Sequence, residues 1–235
     1  MLHPLTGRTD GSAMPSDISW YESFWTYLEF AWQDLLRLGL DHAVVVIISV
    51  LIATVIGVAL GVLTYQTERP RELVLAVTGT FLTIPSLALF TLLIQVPGLG
   101  LGAKSVIAAL VMYGLLPIVR NTIVGLREVD SAIVESAQGM GMGRAARLWR
   151  IELPLAWPVV LTGIRVATLL LIGIAAIGAY INGPGLGEPI FGASVGSAAA
   201  LNEVLSGTLG VIVLAVLFDF VYVVITRLTT SKGLR

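Results

Sequence analysis

Few residues in this 235-residue chain are equipped for catalysis. There is no cysteine, so thiolate nucleophiles, disulfides and thiolate metal sites are excluded. The two histidines, His3 and His42, leave little for imidazole chemistry, and no metal site is expected. Gly192-Ala193-Ser194-Val195-Gly196 has the spacing of a nucleophile elbow. That mechanism needs a strand before the serine and a histidine base, normally later in the chain, and no histidine follows position 42. Gly102-Ala103-Lys104-Ser105 ends like a phosphate-binding loop but lacks the glycine directly before the lysine. What remains is of two kinds. Arg120, Arg165 and Asp219 are charges set in long apolar surroundings, where ion pairing or gating is the available chemistry. Between Glu128 and Pro154 lies a polar block, EVDSAIVESAQGMGMGRAARLWRIELP, able to dock on something outside the apolar segments.

The elements that carry these residues follow from composition. Hydrophobic residues make up 56% of the chain and charged residues 12%, about half the charged share of a soluble domain. Several stretches of more than about 20 residues carry no charge, which is enough to cross a ~30 Å hydrocarbon core. This reads as an all-α integral membrane protein, and a net charge of −1 argues against a nucleic-acid partner. Five spans are expected: 43–63, 73–96 with Pro85, one from Ser105 carrying Pro117 and Arg120, 157–181 with Arg165, and 205–228 with Asp219. Basic residues gather on one side, at Arg69, Arg71, Arg127, Arg144, Arg147, Arg150, Arg227, Lys232 and Arg235, with Arg120 and Arg165 near that end of their helices. Arg8, Arg37 and Lys104 fall on the other side. The positive-inside rule then places the N-terminus outside and the C-terminus in the cytoplasm.

Residues 1–42 form an extracytoplasmic tail with no visible signal peptide, so the first span is expected to direct insertion. Within the tail, Phe24, Leu28, Ala31, Leu35 and Leu38 share one helical face, opposite Glu29, Gln33, Asp34 and Arg37. This predicts an amphipathic helix over 24–38 lying in the outer interface. Residues 43–230 form the transmembrane domain, with a cytoplasmic segment at 128–154 and an outer loop at 182–206, and 231–235 are a cytoplasmic tail. The apolar, Gly-rich outer loop is expected to be packed or partly embedded.

The intramembrane charges have alternative readings. Arg120 is near enough to the cytoplasm to snorkel. Arg165 and Asp219 sit at similar depth, as a structural ion pair or as parts of a gate. Pro85 and Pro117 interrupt helices and could shape a pathway or simply pack. Gly57 and Gly61 form a GxxxG pattern that predicts close helix contact.

In the cytoplasmic block, Asp130 or Ser131 can cap a helix to about Gln138. Gly139, Gly141 and Gly143 then break it, with Gly141 at a turn. A second helix from Arg144 is expected to end at Glu152, ahead of Pro154. From the residues alone, this is either a basic loop on lipid headgroups through Arg144, Arg147 and Arg150 or a docking element. Glu135-Ser136-Ala137, Gly141 and Ile151-Glu152-Leu153-Pro154, at their spacing, resemble the EAA motif of ABC importer permeases, with Ser136 in place of the usual first Ala.

Thr83-Ile84-Pro85-Ser86-Leu87-Ala88-Leu89, Leu115-Leu116-Pro117-Ile118-Val119-Arg120-Asn121-Thr122 and Gly183-Pro184-Gly185-Leu186-Gly187 resemble the osmoprotectant branch of that family. The relatives more often read I-G-A-G-G-L-G in the last of these, where this chain has Asn182 and Pro184.

The resemblance implies a type I ABC importer permease fold in the bacterial cytoplasmic membrane and import of glycine betaine, choline, carnitine or proline-like solutes. It implies no catalytic residue and no cofactor in this chain, with ATP and Mg bound by a partner ATPase. The implied partners are a second permease copy or paralogue, two ATPase subunits docking on Glu135, Ser136, Ala137, Gly141, Ile151, Leu153 and Pro154, and a solute-binding protein docking near Gly183, Gly185 and Gly187. An importer of another small solute is the alternative, and a secondary transporter a more distant one, because Asp219 is the only intramembrane carboxylate for a relay.

Overall fold

The structure, a computed structural model, describes residues 19–193 and 200–229. The tail positions before Ser19, Ser194 of the elbow-like motif, and Lys232 and Arg235 lie outside the described residues. Every regular element among those described is helical. The long helices are α1 (Trp20–Thr64), α2 (Glu68–Thr83), α4 (Ala103–Arg127), α7 (Leu153–Ile177) and α9 (Ala200–Thr229). Shorter ones are α3 (Ser86–Ile94), α5 (Ser131–Gly139), α6 (Arg144–Arg147) and α8 (Gly187–Phe191).

The centre is a three-helix core of α1, α4 and α7, with Val46, Ala53, Leu110, Ile118, Val160 and Leu171 buried between them. Helices surrounded by lipid gain little from burying apolar groups against one another, so close approach through small residues does the work. The expectation from Gly57 and Gly61 holds: a methyl at Gly57 would lie 2.8 Å from Ile118 Cγ2, and one at Gly61 would lie 2.6 Å from Thr122 Cβ. Gly163 on α7 is equally tight, 2.7 Å from the Pro117 carbonyl oxygen.

Three expectations need correction. Residues 24–38 do not form a helix of their own ahead of a separate span. They are the first half of α1, 45 residues without interruption, about 67 Å long. The weakest helix former near the expected joint is Gly39, and one glycine costs too little to end a helix supported on both sides. Asn202 Nδ2 donates to Ser23 Oγ at 2.9 Å, holding the start of α1 against the start of α9.

The expected second span is not one kinked helix. Between α2 and α3 the axis turns by 97°. Ile84 is extended (φ −73°, ψ 127°), because the Pro85 ring disfavours helical backbone at the residue before it. Tyr113 Oη donates to the freed Ile84 carbonyl at 2.8 Å.

At Pro154 the reverse happens, and the helix does not stop. Leu148–Glu152 widens into a π turn, with the Leu153 N–H donating to the Leu148 carbonyl. The chain is helical from Arg144 to Ile181. In contrast, Pro117 sits inside an unbroken α4, and Asn121 Nδ2 donates to its carbonyl at 2.8 Å. Among the described residues, four helices are long and apolar enough to span a membrane, or five if the bent α2–α3 pair is one crossing.

Candidate functional site

The polar block from Glu128 to Pro154 folds into a helix–turn–helix unit. Asp130 Oδ1 accepts from the Ala132 N–H at 2.8 Å, capping α5 as its sequence predicts. The turn after α5 depends on Gly141, whose φ of +81° is a left-handed value that favours glycine. Its N–H donates to the Gln138 carbonyl at 2.9 Å, and Met142 N–H to Ala137 O at 3.1 Å.

The motif residues divide by exposure. Glu135, Ser136 and Gly141 face outward, Ala137 is fully buried, Ile151 and Leu153 are half-buried and Pro154 is exposed. Beside the outward residues stand apolar side chains that the motif does not contain: Met140 (72% exposed), Trp149 (71%) and Ile133 (43%). Exposed apolar side chains on a segment that also exposes Glu135, Arg144 and Arg150 suit a protein surface better than a purely electrostatic contact with headgroups.

Arg147 cannot be one of three headgroup-binding arginines. It is 8% exposed, and its Nε donates to Glu152 Oε1 at 2.7 Å across the π turn. Glu152 is 3% exposed, and its other oxygen accepts from Tyr65 Oη at 2.6 Å, at the C-terminal end of α1. Gln66 Nε2 donates to the same phenol oxygen at 2.7 Å. Burial, then the Glu152 hydrogen bond, pushes the Tyr65 hydroxyl up to about 12, so it stays a donor at any physiological pH. Glu152 occupies a variable position of the motif, and its phenol partner lies 87 residues away, so no local pattern announces this cluster.

Within the bundle, Arg165 and Asp219 meet as a two-point fork: Nε to Oδ1 at 2.6 Å and Nη2 to Oδ2 at 2.8 Å. Thr168 and Tyr222 hydroxyls lie 2.8 Å apart one turn further on, and Trp157 Nε1 donates to Thr229 Oγ1 at 3.0 Å. Polar links therefore tie α9, which buries few side chains of its own, to α7. Arg120 is on the exposed side of α4 and pairs with no carboxylate among the described residues.

On the opposite face the Gly-rich loop is packed, as expected. A methyl at Gly187 would overlap the Ala176 carbonyl at 1.9 Å, one at Gly183 would lie 2.7 Å from Gly178 O, and Gly185 (φ +128°) abuts the His42 ring. His42, fully buried, holds the loop to the bundle. Its Nε2 donates to Ile172 O at 3.0 Å while Nδ1 accepts from the Leu186 N–H at 3.2 Å. This is the neutral tautomer, used as a staple rather than as an acid or base. Outside the glycines, a cavity of about 500 Å³ is lined by Tyr180, Asn182, Glu188 and Phe191 among others.

Residues 53–231 match the family described as binding-protein-dependent transport system inner membrane component. This chain belongs to that family. It is a multi-pass membrane permease subunit and not an enzyme. The choline transport system permease protein OpuBB of Bacillus subtilis (strain 168) is 36% identical over 203 residues, covering 86% of this permease and 91% of that relative. The glycine betaine/carnitine/choline transport system permease protein OpuCB of the same organism is 35% identical, covering 89% and 95%. The osmoprotectant import permease protein OsmW of Salmonella typhimurium (strain LT2) is 36% identical, covering 86% and 94%. Among solved structures, a chain of the inward-facing MetNI methionine ABC transporter (CY5 native crystal form) superposes with a TM-score of 0.76 at 22% identity, covering 84% of this permease and 96% of that chain. At that identity the likeness establishes the type I importer permease fold and nothing of the solute.

Proposed function

We propose that this permease is the membrane subunit of an ATP-driven, binding-protein-dependent importer of osmoprotectants such as glycine betaine, choline, carnitine or proline-like solutes. The observation that carries the reading is the helix–turn–helix of 131–152. It is separately capped, presents Glu135, Ser136 and Gly141 beside exposed Met140 and Trp149, and runs without a break into α7. Such a unit can take a push from an ATPase and pass it to the bundle core. The substrate class rests on the relatives that carry choline, glycine betaine and carnitine.

In this reading the N-terminus is outside and the C-terminus cytoplasmic, in the bacterial inner membrane. The α2–α3 pair makes one of five crossings. Two permease chains, identical or paralogous, enclose the pathway, with Pro85, Pro117 and Arg120 candidates for its walls. Two ATPase subunits, which bind the ATP and Mg, seat on Glu135–Pro154. A solute-binding protein docks on the outer face of the loop at Gly183, Gly185 and Gly187. The permease itself needs no cofactor and binds no nucleic acid.

The test is reconstitution of the permease with its co-purified ATPase and binding protein in vesicles, with labelled choline, betaine, carnitine, proline and methionine. ATP-dependent uptake of the quaternary amines is expected. Uptake of methionine alone would overturn the substrate class, and uptake driven by an ion gradient without ATP would overturn the importer class.

A further inference from the structure

Glu152 stands where three parts of the chain meet. Arg147 approaches from the segment side of the π turn, Leu153 begins α7 directly after it, and Tyr65 approaches from the end of α1. All three side chains of the cluster are buried, so both carboxylate oxygens are used up inside the protein. The segment is therefore fixed to two helices, to α7 through the backbone and to α1 through the single hydrogen bond from Tyr65. Helix α1 is pinned again at its midpoint. From His42 to Tyr65 is 23 residues of unbroken helix, about 35 Å. At His42 the ring bonds both to Ile172 of α7 and to Leu186 of the outer loop. One rigid rod thus joins a buried polar clasp on the cytoplasmic side to a buried polar staple under the outer loop, and Gly57 and Gly61 seat its Tyr65 half against α4.

We propose that α1 is the tie rod between the two docking faces, that Glu152 is the residue positioning the coupling segment on it, and that Tyr65 is the bond through which the rod is engaged. When the segment moves, α1 moves with it, and the displacement reaches His42 and the loop at Leu186. Occupation of the outer loop by a binding protein reaches the ATPase side by the same rod, because coupling between two sites is reciprocal. The idea rests on the coupling reading of residues 131–152.

Tyr65→Phe is the cleanest cut. It removes the hydroxyl and keeps the ring, and it leaves the Arg147–Glu152 pair within the segment intact. The assay uses the full importer in vesicles and reads three quantities: permease yield with ATPase retained, basal ATP hydrolysis, and hydrolysis with saturating binding protein and solute. Yield, retained ATPase and basal hydrolysis are expected to stay within about twofold of the parent. The ratio of stimulated to basal hydrolysis is expected to fall about tenfold, within the usual span of coupling between sites. His42→Phe, which cuts the other pin, should lower the same ratio, and the double variant should be no worse than the stronger single one, since a rod cut at either end transmits nothing.

An unchanged ratio in well-folded Tyr65→Phe protein overturns the proposal. Loss of the ATPase subunits from that variant overturns it too, by showing that the cluster only shapes the docking surface. Gly141→Asp separates this from the parent reading. If Gly141→Asp abolishes uptake while Tyr65→Phe is silent, only the tie rod falls; if Gly141→Asp is silent, the coupling assignment itself falls.

Discussion

Replacing Arg165 by leucine removes both donors of the fork and leaves the Asp219 side chain without its partner beside apolar helices. Breaking a fully buried pair costs about 3–5 kcal/mol, and an exposed one contributes below about 1 kcal/mol. Here the side chains are 40% and 37% exposed in the isolated chain, and the two hydrogen bonds, at 2.6 and 2.8 Å, are short and aligned. We take an intermediate cost of about 2 kcal/mol for either single change, roughly 30-fold in the folding equilibrium. Arg165→Leu/Asp219→Leu removes both charges and should cost only about 1 kcal/mol, a coupling of about 3 kcal/mol. The measurement is thermal unfolding of the purified permease in detergent, with the monodisperse fraction as a second readout. Both singles should unfold earlier than the double. A double variant that loses the sum of the two single effects would show that the fork contributes nothing as a pair.

Four further outcomes are expected. Gly141→Asn should retain more uptake than Gly141→Ala, because asparagine tolerates positive φ, where alanine pays about 1–2 kcal/mol; vesicle uptake ranks them. Gly61→Ala should cost about 1–3 kcal/mol through overlap with Thr122, while Gly39→Ala, with open space around its Cα, should be neutral or stabilising; unfolding temperature compares them. His42→Ala orphans the Leu186 N–H and should expose the outer loop to protease at a lower dose than the parent requires. In this Cys-free chain, Lys104→Cys should react with an impermeant maleimide from outside and Arg150→Cys should not, and the reverse pattern would invert the proposed orientation.

What the sequence discloses depends on whether the cause is local. The Asp130 cap, the Gly141 turn and the GxxxG contact each follow from one residue type doing what its backbone or size dictates, and they stand where expected. The Arg165–Asp219 fork was legible because two lone charges at equal depth in hydrocarbon have few alternatives. The misses come from competition between local and tertiary effects. Charges at Glu29, Asp34 and Arg37 suggested a helix lying flat, yet nothing between Trp20 and Thr64 is strong enough to end a helix, and packing on α9 keeps it straight. The proline rule predicted a stop ahead of Pro154, whereas Pro85 was expected only to interrupt a continuing span. At Pro85 the helix stopped; at Pro154 a wider turn absorbed the missing N–H. Glu152–Tyr65 and His42–Leu186 join residues 87 and 144 apart, and no single-sequence pattern encodes such pairs.

The 97° elbow at Pro85 has a mechanical meaning. Between Thr83 and Ser86 no ordinary helical ladder resists a change of angle, since Pro85 has no N–H to give and the Ile84 carbonyl is held from the side by Tyr113. Leu89 and Phe90 anchor α3 in the core, whereas α2 buries Thr78 alone. The elbow is therefore a joint between a half seated in the core and a half packed on α4 through partly buried side chains such as Val74 and Leu75. In the importer we propose, where this pair makes one crossing, a stroke from the ATPase side changes the angle between α2 and α3, so the two ends of the crossing need not open at the same moment.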